Sequence, residues 1–167
     1  LPICLNYSDT FSMFEGSAYG LWNINDGIFD SFNMQISLKN PLTSESIVVD
    51  GSFTNPLQEK LTMDNLMTNC FFNAQANVED FSLRHIFSTQ PDDERFSATV
   101  TFSGTVENPY VTVNLSSFSM QLAGAPLFMK GSMASMEEIF TVPEFSASWT
   151  DFSVKDFSGS FNIGRST

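Results

Sequence analysis

The stretch Phe96-Ser97-Ala98-Thr99-Val100-Thr101-Phe102-Ser103-Gly104-Thr105-Val106 decides the fold. Its even positions are apolar or small, and every odd position from Ser97 to Thr105 carries a hydroxyl. Successive strand residues point to opposite faces, so this period predicts a strand with one greasy and one hydroxylated side. The same alternation recurs outward in both directions. Upstream it runs through Ala18, Gly20, Trp22 and Ile24, then Phe32, Met34, Ile36 and Leu38. Ile47, Val49, Gly51 and Phe53 follow, then Cys70, Phe72, Ala74, Ala76 and Val78. Downstream come Val111, Val113 and Leu115, then Phe118, Met120 and Leu122, then Leu127, Met129, Gly131 and Met133. Phe145, Ala147 and Trp149 precede a last run of Phe157, Gly159, Phe161 and Ile163.

Turn signals separate these runs: Asn25-Asp26-Gly27, Asn40-Pro41, Asn55-Pro56, Glu107-Asn108-Pro109 and Gly124-Ala125-Pro126. The reading predicts an all-β chain of about ten or more short strands in antiparallel sheets wet on one side. It predicts a single β domain over residues 1–167. Between Val78 and Phe87 neither period holds, and a short helix or irregular crossover is expected there. Gln90-Pro91-Asp92-Asp93-Glu94 reads as a solvated acidic loop.

Composition narrows the function classes. Seven Lys plus Arg stand against 19 Asp plus Glu, a net charge of −12. Phosphate binding runs on Lys and Arg, so nucleic acid is excluded as a partner, and docking on anionic membrane surfaces is disfavoured. One His and two Cys cannot build a zinc cluster, and no metal site is expected. No apolar run reaches the length of a membrane-spanning helix. Charged residues make up 16% of the chain, with Ser, Thr and Asn in their place, which points to a periplasmic, lumenal or extracellular setting. The 18 Phe and 8 Met read either as an ordinary β core or as a greasy lining. Cys4 and Cys70 are either a disulfide or two buried thiols. No signal peptide is read at the start, and the chain is expected to be a mature protein or an excised segment.

No reading favours an enzyme. His85 is the sole imidazole, there is no Gly-x-Ser-x-Gly elbow, and His85 reads as structural. Asp9, Glu15, Asp26, Asp30 and Glu45 read as solvated carboxylates. Asn23-Ile24-Asn25-Asp26-Gly27 reads as a hairpin turn rather than a calcium loop. No Gly-rich phosphate cradle is present, so no cofactor is expected.

Two segments echo each other. Val49-Asp50-Gly51-Ser52-Phe53-Thr54-Asn55-Pro56 parallels Phe102-Ser103-Gly104-Thr105-Val106-Glu107-Asn108-Pro109, with Gly four residues before Asn-Pro in both. This pattern, with the strand-like continuation to Leu115 and the later Ser119 to Met133 and Asp156 to Phe161 stretches, resembles the repeating β segments of the TamB and AsmA-like proteins of Gram-negative envelopes. The resemblance covers mainly Phe96 to Ile163. It implies an elongated, curved sheet folded into an apolar groove, as a segment of a longer repetitive chain. It further implies a non-enzymatic role in shielding acyl chains for phospholipid transport across the periplasm, with support of outer-membrane assembly and its proteins as possible partners. The lipid-binding wall would comprise Phe96, Val100, Phe102, Val106, Val111, Val113, Phe118, Met120, Leu122, Leu127, Met129, Met133, Phe157 and Phe161. Self-association through sheet edges is expected of such a segment. The same alternation also suits a filled β-sandwich acting as an adhesin, pilus-like or carbohydrate-binding module, or a lipocalin-like barrel around one ligand.

Overall fold

A computed structural model describes residues 14–25, 28–87, 93–136 and 139–162. Nine strands follow in chain order: β1 (Glu15–Asn25), β2 (Ile28–Lys39), β3 (Ser46–Thr54), β4 (Phe71–Ser82), β5 (Arg95–Gly104), β6 (Pro109–Leu122), β7 (Ala125–Met136), β8 (Ile139–Trp149) and β9 (Phe152–Asn162). They form one sheet in the order β1 to β9, each strand pairing antiparallel with the next. The sheet does not close into a barrel, and no second sheet lies against it among the described residues. The predicted all-β, antiparallel class is what the chain builds; the sandwich and barrel alternatives are not. The strands are fewer and longer than the sequence suggested. Val111 to Leu115 and Phe118 to Leu122, read as two runs, are one strand, β6.

The ladders explain the phase changes in the sequence. Between Leu115 and Phe118 the apolar positions jump from odd to even, and the β6–β7 register shifts at that point. The same happens at Val78/Phe81 in β4 and Val142/Phe145 in β8. An inserted residue at a bulge would otherwise throw every later side chain onto the wrong face. The bulges therefore keep one face apolar along long strands. Asp80 and Asp156 take left-handed conformations at φ 48° and 55°, at two such irregularities. In the segment 78–87, β4 continues to Ser82, and the expected irregularity is a bulge followed by a single 3₁₀ turn (Leu83–His85), capped by the Ser82 hydroxyl accepting from Arg84 N–H.

Turns meet the sequence signals unevenly. Ala123 and Gly124 form the β6–β7 turn at φ 52° and 80°, so Pro126 lies inside β7 rather than in the turn. Asp26 and Gly27, Cys4, Asp9, Pro91 and Ile163 lie outside the described residues. One short helix, α1 (Met63–Thr68), sits in the β3–β4 connection, its first turn capped by Thr62. The two Gly-Asn-Pro echoes are not equivalent. Gly51 is mid-strand under Met34, whereas Gly104 ends β5 at φ 109° with the Asn108 carbonyl where a Cβ would be.

Candidate functional site

Rungs across the sheet define its two faces. One rung runs Ala18, Ile36, Val49, Ala76, Val100, Val113, Met133. The next runs Gly20, Met34, Gly51, Ala74, Phe102, Val111. A third joins Phe81, Phe96, Phe118, Met129 and Ala147. Aromatic rings pack in tilted and edge-to-face pairs along this face. Trp22 and Phe32 have centroids 4.2 Å apart, Phe53 and Phe72 5.1 Å, Phe81 and Phe96 5.7 Å. The result is one continuous apolar face from β1 to β9.

That face lacks the burial of a packed core. The buried apolar side chains among the described residues are Phe53, Cys70, Phe81, Leu83 and Ala98. Of the wall residues, Phe96, Val100, Phe102, Val111, Val113, Phe118, Met120, Leu127 and Met129 are half-buried. Leu122, Met133, Phe157 and Phe161 are exposed. At one corner the face closes on itself. The ring of Phe14, just before β1, stacks 6.0 Å from Phe81 at the far end of β4 and 5.4 Å from His85.

Val106 is the wall residue that the structure moves. It lies past the end of β5, in the connection to β6, where Gly104 turns the chain out of the ladder. The other thirteen stand on strands. The early strands, left out of that wall, supply Trp22, Phe32, Phe53 and Phe72 to the same face, and their alternation was the available signal.

The opposite face is polar. Two adjacent rungs cross it from β1 to β6. One runs Tyr19, Gln35, Asp50, Gln75, Thr101 and the other Leu21, Asn33, Ser52, Asn73, Ser103, Tyr110. All of these but Leu21 line a concavity of about 650 Å³, together with Met34, Gly51, Ala74 and Phe102. A twisted sheet is a saddle, so each face is concave along one diagonal. Gln35 Nε2 donates to Asp50 Oδ1 at 2.7 Å, and Thr101 shares a hydrogen bond with Thr112.

A third cluster binds one end of the sheet. Glu45, read as a solvated carboxylate, is 3% exposed. Its Oε2 accepts from Asn40 Nδ2 at 2.7 Å and Thr43 Oγ1 at 2.8 Å; its Oε1 accepts from Ser82 N–H at 2.9 Å and lies 2.9 Å from His85 Nε2. Burial pushes the Glu45 carboxyl up, but these donors outweigh it and hold the group below its ordinary value. Arg95 bridges to Asp80 at 3.2 Å and reaches Glu45 at 4.0 Å. Ser44 also donates to Asp80. Glu94, expected in a solvated loop, is buried and accepts Gln121 N–H at 2.7 Å. These contacts join the β2–β3 loop, the end of β4, the start of β5 and the end of β6. At the other end Cys70 is a buried thiol donating to Asn65 Oδ1, and burial pushes its pKa up. No group of three or more His, Cys, Asp or Glu among the described residues is placed to hold a metal.

No family model, no curated protein and no solved structure matches the chain.

Proposed function

We propose that the apolar face shields lipid acyl chains from water, as a non-enzymatic segment of a phospholipid path through the cell envelope. The observation that carries this reading is a nine-stranded sheet whose continuous apolar face has no second layer over it among the described residues. Each methylene taken from water onto such a face gains about 0.8 kcal/mol, so a chain of many methylenes binds without any polar anchor. Rungs of Phe, Met, Val and small residues grip alike along their length, which favours sliding over capture. The periplasmic or extracellular setting and the support of outer-membrane assembly rest on the resemblance of the repeating segments to TamB and AsmA-like chains. The filled-carrier reading needs a closed barrel, which this sheet does not form among the described residues. Exposed β1 and β9 offer unpaired backbone for self-association or for further strands.

The test is mass spectrometry of organic extracts of the purified protein against a matched control from the same host. Co-purifying phospholipid or fatty acid is expected, and Phe102→Glu should remove it while β-sheet circular dichroism persists. Phe157→Lys, on an exposed edge position, serves as the second variant. Lipid at control level in a folded monomer, or lipid unchanged in both variants, overturns the reading.

A further inference from the structure

We propose that the polar trough across β1 to β6 binds an uncharged oligosaccharide, lying across the strands on the face opposite the apolar one. The ordinary solvent face of an antiparallel sheet carries Lys, Arg, Glu and Asp. Here the side chains lining a 650 Å³ concavity include no Lys or Arg, and Asp50 is the one charge. That charge already accepts from Gln35. In place of ions stand amides and hydroxyls. A sugar hydroxyl both donates and accepts, and an Asn or Gln amide offers both in fixed geometry. No described side chain hydrogen-bonds the exposed amides of Asn33 and Asn73.

The two tyrosines supply what amides cannot. Tyr19 is 64% exposed and Tyr110 42% exposed, one at each end of the trough on adjacent rungs. A Tyr ring presents a flat apolar face with a polar tip, which suits the C–H face of a pyranose ringed by hydroxyls. Five strand steps separate β1 from β6, about 24 Å along the sheet. The occupant is therefore a chain of several sugar rings rather than a monosaccharide. Anionic glycans are disfavoured by Asp50 and by the chain's net charge of −12. The lining side chains stand on paired strands, so little backbone order is lost on binding. The amides, hydroxyls and tyrosines that line the trough are not residues of the lipid wall, so this inference stands whether or not lipid binds.

The experiment titrates the whole chain with chitohexaose, cellohexaose and maltohexaose, with a hyaluronan hexasaccharide as the anionic probe, by calorimetry and saturation-transfer NMR. At least one neutral probe is expected to bind with Kd below about 1 mM. Tyr19→Ala/Tyr110→Ala and, separately, Asn33→Ala/Asn73→Ala should each weaken it about tenfold or more, as loss of interface anchors does. Ile139→Ser, on β8 outside both the trough and the wall, should leave it unchanged. All four positions are exposed, so circular dichroism should be native in both double variants. No binding by any neutral probe at millimolar concentration, equal binding of hyaluronan, or undiminished binding in both double variants overturns the proposal.

Discussion

Glu45 is where one side chain does most for the sheet. It is buried, and four donors converge on its two oxygens. Because those donors hold its folded value below the ordinary 4.5, its contribution is present above that value and is lost as pH falls through the lowered one. Urea unfolding of the wild type should therefore show stability falling with acidification below that range, and Glu45→Gln should flatten the fall. Glu45→Ala at pH 7 should cost about 3 kcal/mol, because the donors of Ser82, Asn40 and Thr43 are left unpaired in a buried joint. Glycines give a second contrast. Gly104→Ala places a Cβ 2.6 Å from the Asn108 carbonyl oxygen at φ 109°. Gly124→Ala meets nothing within 4 Å and has only its φ of 80° to contend with. The first should cost clearly more than the second, which is expected near 1 kcal/mol; thermal midpoints of the two variants decide it.

At the scale of elements, the bulges and edges matter most. The odd-to-even switch at 115/118 was visible as a break between runs, and was read as a strand end. It is a bulge inside one longer strand, β6. A break in alternation has the same sequence appearance in both cases, and only the neighbouring strand's register separates them. The β8–β9 turn at Thr150 and Asp151 had no Gly, Pro or Asn to announce it. Thr150 nonetheless sits at φ 51°, where a β-branched residue is strained. Thr150→Gly should stabilise by about 1 kcal/mol, measured by chemical denaturation. The edges carry a separate prediction. With nine alternating strands, β1 and β9 run the same way, so two-fold pairing of like edges keeps the antiparallel pattern and head-to-tail pairing does not. Sedimentation should show concentration-dependent self-association, and Ala18→Lys in β1 with Gly159→Lys in β9 should reduce it.

For the whole molecule, the apolar face, which no second layer covers among the described residues, sets how stability responds to ligand. A ligand that binds the folded state alone adds about 2.7 kcal/mol at a hundred times its Kd. Delipidated protein is expected to melt lower than the protein as purified, and to regain its midpoint with added phospholipid. Equal midpoints before and after extraction would count against lipid as the natural cover of that face.

The sequence by itself determined the all-β class, the antiparallel pattern, and the greasy and polar sides of most runs. These follow from period two, which is a property of neighbours along the chain. Only the tertiary structure decided that nine runs form one open sheet rather than two packed ones, because the same alternation satisfies both. It also decided that Val106 leaves the ladder, that Glu45 and Glu94 are buried, and that Tyr19 and Tyr110 face one trough. Each of those depends on residues far apart in the chain meeting through strand register, and register is written in pairings between strands rather than along any one of them.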